Sequence, residues 1–202
     1  MEHESLRATR QLVLLALAVQ VGVLALTGLW LAFNYRPQYA SAWSGVSAVR
    51  HGGMGVVRLL HRTVAGLTGL TALVAAGLMV ADVVARGVRR RRLLQLAAGP
   101  ALLMAVLAAG FTGYLLPWDQ LALWAVSVGS NMKGYTPVFG SNVRFVLIGG
   151  VEVSKATMWR WFVVHTVVLG VGVILLVGTA LRAGRASPHG TERGGRWVAW
   201  FS

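Results

Sequence analysis

The chain contains no cysteine. Disulfides, thiolate-held iron–sulfur clusters, zinc thiolate sites and thioether attachment of a prosthetic group are therefore excluded on this polypeptide. Charge is also scarce: charged residues make up 12% of the 202 residues, against about 25% in a soluble domain. Only six of those charges are acidic, against 19 Lys and Arg. What is abundant is apolar surface, with 56% hydrophobic residues and a mean hydropathy of +0.65. That composition excludes an ordinary soluble domain and gives the class: an all-α, polytopic membrane protein with one membrane domain.

Four apolar runs, roughly 12–33, 63–84, 93–116 and 161–181, each approach the ~20 residues a bilayer needs. The net charge of +13 could suggest a nucleic-acid partner, but the arginines flank the spans. On the starting side stand Arg7, Arg10, Arg86, the run Arg89 to Arg92, Arg182, Arg185, Arg193 and Arg196, which is 11 of the 19 basic residues in short segments. The other eight are spread over two longer loops. The positive-inside rule then places both termini in the cytoplasm of a cell-membrane protein, and no nucleic-acid partner is expected. The first run is too long for the apolar region of a signal peptide and ends in Trp30, Phe33 and Tyr35, so it reads as a retained helix.

Three regions are expected: a polar cytoplasmic lead over 1–11, a four-helix membrane domain over 12–182, and a basic cytoplasmic tail over 183–202. The first span stops at Asn34-Tyr35-Arg36-Pro37. The segment 117–160 is too polar to span; Trp118, Leu121, Leu123, Trp124 and Val126 predict short surface helices between the third and fourth spans. Trp197 to Phe201 offers a last apolar stretch that can touch the bilayer.

Histidine is costly inside a membrane span and needs a partner or a task. His61 and His165 open the second and fourth spans. A chain crossing at every span enters those two from the same side, so the two rings belong at matching depth, facing across a bundle. Two readings stand. Each histidine can hydrogen-bond to a neighbouring helix, or the pair can clamp one haem iron from both sides. Arg58, Arg62 and Arg160 lie beside them in sequence and are suited to haem propionates, or to lipid headgroups by snorkelling. Gly28 and Gly113 lie at the same expected depth, where a flat macrocycle requires close backbone approach.

Gly113-Tyr114-Leu115-Leu116-Pro117-Trp118-Asp119-Gln120, followed by Trp124-Ala125-Val126, resembles the signature after the third helix of cytochrome b, in the short, split b-six form. The resemblance continues through Thr136-Pro137-Val138, Gly140-Ser141, Gly149, Gly150, Thr157, Arg160 and His165-Thr166. Upstream it takes in Thr27-Gly28, Tyr35-Arg36-Pro37 and Val57-Arg58 to His61-Arg62. It implies a four-helix haem-binding bundle in which the second and fourth helices each carry two histidines, 14 and about 15 residues apart, holding two b haems. Fourteen residues rise about 21 Å and return within about 40° of the same face, so one helix can serve both membrane faces.

This chain departs from that pattern. Ala75 stands 14 past His61, and Thr179 and Ala180 stand 14 and 15 past His165. Leu14 occupies the inner position that would match a haem-packing glycine on the first helix, although Gly99 remains on the third. One outer haem b on His61 and His165 is expected, and the second, inner haem is expected to be absent. Met79 and Met104 are alternative inner ligands only in a rearranged site.

The family implies a quinol-linked electron-transfer complex acting at the outer face. Its expected partners are a membrane subunit equivalent to the C-terminal part of cytochrome b, a Rieske-type iron–sulfur protein or c-type cytochrome, quinol and lipid. Trp118, Asp119 and Trp124 mark a possible quinol-site region, with Asp119 equally readable as a helix cap. The reading from a different class is a non-redox or haem-stabilised assembly subunit. Asp82 is read as facing water with the arginines, or as serving proton uptake; Glu152 and His51 carry no assignment.

Overall fold

The structure is a computed structural model that describes residues 2–38, 42, 53–87, 90–131 and 153–185. Among them there is no strand. Helix α1 (Glu2–Asn34), α2 (Gly53–Arg86) and α3 (Arg90–Leu115) are followed by the short α4 (Gln120–Asn131). A fourth long rod joins α5 (Lys155–Val163), a π-helical segment Val164–Leu169, and α6 (Gly170–Arg185). The four long helices close into a ring, with α1 against α2, α2 against α3, α3 against the fourth rod, and the fourth rod against α1. Stretches Ser5–Asn34, Gly55–Ala85, Leu93–Leu115 and Lys155–Ala183 are long and apolar enough to cross a membrane. The chain is an integral membrane protein.

The helices outrun the apolar runs that predict them. α1 begins at Glu2, so the residues of the polar lead continue the first helix. A helix satisfies its own backbone polar groups, which favours carrying it beyond the apolar stretch. α1 stops at Asn34 because Pro37 disfavours helical geometry at the residue before it. Of the expected surface helices α4 is seen; residues 132–152, with Glu152 and the motif residues Thr136 to Gly150, lie outside the described residues, as do His51 and the tail from residue 186.

Large apolar side chains such as Leu26, Phe33, Leu70, Val84 and Leu94 point outward. In lipid their burial would bring no hydrophobic gain, so the bundle is held by close packing and by polar ties between helices. Two buried clusters divide its length. At the histidine end, Leu115, Trp118, Ala122, Val126 and Met158 pack around the turn after α3. Towards the far end, Leu14, Leu17, Ala72, Ala75, Met79, Leu102, Val173, Val177 and Ala180 form a continuous apolar plug.

The far end is tied by polar groups. Arg10 Nη1 donates to Asp82 Oδ2 at 2.7 Å, with both side chains buried. Gln95 Nε2 donates to the Ala183 carbonyl at 2.9 Å. Asp82 therefore does not face water with the loop arginines. Its partner is Arg10, one of the basic residues on the starting side of the chain. Opposite charges in a poorly solvated place gain far more from pairing than from separate exposure.

Candidate functional site

His61 lies on α2 and His165 within the π-helical segment of the fourth rod. Their ring centroids are 6.4 Å apart and their planes cross at 70°. The π turn inserts one residue into the helical register just where His165 projects, a placement common at functional sites. It also decides which residue lies below His165 on the inner face of the rod. Ala180 is fully buried whereas Thr179 is exposed, so a spacing of 15 rather than 14 returns to the interior.

Each imidazole is held by a threonine on the neighbouring helix. Thr27 Oγ1 lies 2.8 Å from His61 Nδ1, and Thr112 Oγ1 lies 3.1 Å from His165 Nδ1. Each hydroxyl also donates to a carbonyl of its own helix, Thr27 to Val23 at 2.7 Å and Thr112 to Ala108 at 2.9 Å. A hydroxyl has one proton to give. With that proton committed to the carbonyl, the ring nitrogen is the donor, so Nδ1–H donates to the threonine oxygen in both histidines. A second carbonyl of the same helix stands within reach of each hydroxyl as well, Leu24 at 3.3 Å from Thr27 Oγ1 and Ala109 at 3.1 Å from Thr112 Oγ1. Nε2 is left with its lone pair in both, the form a metal-binding histidine requires.

The glycines after the two threonines complete the cradle. A Cβ on Gly28 would stand 3.1 Å from His61 Cε1, and one on Gly113 would stand 2.7 Å from His165 Cε1. Thr27-Gly28 and Thr112-Gly113 are thus the same two-residue device, used once for each histidine. The sequence offers these glycines as space for a macrocycle; in the structure their nearest neighbours are the imidazole edges.

These residues fit a haem iron. A ring nitrogen bonds a first-row metal at about 2.0–2.1 Å, and with about 1.1 Å more to each ring centre two trans imidazoles sit roughly 6.3 Å apart, centre to centre. The observed separation is 6.4 Å. Two half-buried histidines as the ligands suit a bis-imidazole haem. No cluster of three or more His, Cys, Asp or Glu that could hold a bare metal ion occurs among the described residues.

The other predicted residues are less close-knit. Arg58 is half-buried one turn before His61, while Arg62 and Arg160 are exposed. In the proposed quinol region, Asp119 Oδ1 accepts the Ala122 N–H at 3.0 Å and so caps α4. Trp124 points outward. Trp118 is buried with a left-handed backbone (φ 48°), and its indole N–H has no hydrogen-bond partner among the described residues. Tyr35 fixes this turn: its hydroxyl donates to the Leu116 carbonyl at 2.6 Å, and its ring stacks on Phe162 at 5.5 Å. Burial pushes the Tyr35 phenol above the usual tyrosine range, which keeps it a neutral donor.

At the far end stand the residues that depart from the two-histidine pattern. Leu14, Ala75 and Ala180 are each at most 1% exposed, within the apolar plug. A Cβ on Gly99 would stand 3.3 Å from Met79 Cβ and 3.4 Å from Ala76 Cα, so this glycine serves helix contact. Met79 is part of the plug and Met104 faces outward.

Residues 8–182 match the family described as cytochrome b/b6/petB. Cytochrome b6 of Heliomicrobium gestii is 34% identical over 160 residues, covering 77% of this chain and 73% of that protein. Cytochrome b6 of Synechococcus elongatus is 34% identical over 151 residues, covering 71% and 66%. Cytochrome b of Mycena viridimarginata is 30% identical over 198 residues, covering 93% of this chain and 48% of that protein. The solved structure of a hyperthermophilic respiratory complex III shares the fold, with a TM-score of 0.72 and 23% identity over 92% of this chain. The chain spans about half (51%) of that structure's matched subunit. Membership in this family implies non-covalent haem b and a place in quinol-linked electron transport. The four-helix bundle, its signature residues and these relatives agree: the chain belongs to the cytochrome b/b6 family, as a b6-type N-terminal domain.

Proposed function

We propose that the chain is the mono-haem b electron-transfer subunit of a quinol-linked, bc-like oxidoreductase complex, working at the outer face of the cell membrane. The observation that carries this reading is the pair His61 and His165, with ring centroids 6.4 Å apart and each Nδ1 engaged by a threonine of the neighbouring helix. They would hold the iron, Gly28 and Gly113 give the rings room, and Arg58, Arg62 and Arg160 would meet the propionates. Bound there, haem b supplies one-electron exchange between Fe(III) and Fe(II) with no open position for substrate.

The apolar plug supports a single haem, because a second macrocycle would need the volume now held by Leu14, Leu17, Met79 and Leu102. Without a second site, electron passage across the membrane through this subunit has no stepping stone, and a conventional bifurcating cycle does not fit. The partners fitted to such a subunit are a membrane protein equivalent to the C-terminal part of cytochrome b, a Rieske-type or c-type acceptor, quinol at the Trp118 turn, and lipid. The basic residues of the loop after α2 favour cytoplasmic termini.

An assembly role without redox function is favoured by one observation, that half of the bundle closes on side chains alone. Replacing His61 with Ala separates the two. Under the redox reading the complex assembles but loses electron transfer; full activity without haem would establish the scaffold.

A further inference from the structure

We propose that Thr27 and Thr112 are positioning residues that set the crossed orientation of the two imidazoles and hold the haem potential low. The inference rests on the reading that His61 and His165 are the axial ligands. Three observations carry it. The two hydroxyls lie on different helices from the histidines they meet, at 2.8 and 3.1 Å. Each is fixed in turn by a carbonyl of its own helix, so it cannot rotate away without losing a second hydrogen bond. The rings they hold are crossed at 70° although nothing in two imidazoles alone demands it.

The chemistry follows from the direction of the hydrogen bonds. An imidazole whose Nδ1–H is donated to an oxygen is a more basic ligand at Nε2. A more basic ligand favours Fe(III) over Fe(II), which lowers the midpoint potential. The ring can also turn about its Cβ–Cγ bond only by breaking the contact with threonine, so the hydroxyl fixes the angle between the axial planes. In low-spin Fe(III) that angle governs the spread of the electron paramagnetic resonance g values. Crossed planes give a strongly anisotropic signal with a large maximum g, and parallel planes give a more compact rhombic one. The same Thr-Gly pair thus performs two tasks at each ligand, the glycine admitting the ring and the threonine orienting it.

The test uses the full chain loaded with haem b, comparing Thr27→Val, Thr112→Val and the double variant with Thr→Ser at each position. Valine keeps the shape of threonine and removes the hydroxyl; serine keeps the hydroxyl. The expected result is a midpoint potential that rises in each Val variant and rises further in the double, with a changed maximum g, while the Ser variants keep both wild-type values. Haem-loaded Val variants with the wild-type potential and g values would overturn the proposal, as would Ser variants shifted as far as Val. Where a Val variant folds but takes up no haem, Thr→Ala at that position is read the same way. Wild-type chain that binds no haem would sink the ligand assignment itself; wild-type chain with one haem indifferent to the hydroxyls would sink only this inference.

Discussion

Gly113 and His165 meet so closely that a Cβ on the glycine would lie 2.7 Å from Cε1 of the ring, a separation that real Cβ atoms essentially never show. The ring cannot yield cheaply, because Thr112 holds its Nδ1. Gly113→Ala is therefore expected to cost on the order of 1–3 kcal/mol and to empty the haem site. Gly28→Ala, with 3.1 Å to His61 Cε1, is expected to retain part of its haem. Haem content and thermal unfolding in detergent check both. Equal effects at the two glycines would refute the asymmetry.

Arg10 and Asp82 form a buried ion pair at the end opposite the histidines. Removing one partner strands a charge in a poorly solvated place, so Asp82→Asn or Arg10→Met is expected to destabilise by about 3–5 kcal/mol. The double change Arg10→Met with Asp82→Leu is expected to cost much less, since neither charge is left behind. A double-mutant cycle read by thermal unfolding measures the coupling, which should be large; additive losses would show that the pair does not act as a unit.

Restoring histidines at the far end should not by itself restore a second haem. Ala75→His with Ala180→His puts two imidazoles into a plug already filled by Leu14, Leu17, Met79 and Leu102. The expected outcome is lower stability with unchanged haem content. Adding Leu14→Gly to the pair should give the first measurable gain. Thr179→His in place of Ala180→His should give none, because Thr179 faces outward. Gain with Thr179→His would contradict the register assigned to the π turn.

Tyr35 ties the end of α1 to the turn after α3. Tyr35→Phe removes that hydrogen bond and leaves the Leu116 carbonyl without this donor, an expected loss of about 0.5–1.5 kcal/mol. Burial raises the phenol's folded-state value. Its contribution should be complete below the ordinary tyrosine pKa of about 10 and disappear as pH rises beyond it. Thermal unfolding of wild type and Tyr35→Phe should therefore converge in strong alkali; a constant gap would refute the assignment.

Much of the bundle was legible because spans, flanking arginines and histidine depth all follow from helix periodicity and the cost of polar groups in lipid. The facing of His61 and His165 came from parity alone. The residues that hold them did not. Thr27 and Thr112 look like any membrane-helix threonine bonding its own turn, and only the repeated Thr-Gly pair at matched depth could have signalled them. The pairing of Asp82 is not legible in the sequence because its partner is 72 residues away. The π turn has no sequence signature, so the sequence leaves the choice between Thr179 and Ala180 open. Asp119 has a local role, its cap bond lying three residues on, and the capping alternative for it was readable from the start.

The central claim is one haem b, held by His61 and His165. Its most direct test is the ratio of haem b to polypeptide in the purified protein, by pyridine haemochrome against protein concentration, in wild type and in His61→Ala. The account predicts a ratio near one that falls to near zero in the variant. A ratio near two, or one that survives the loss of His61, would contradict it.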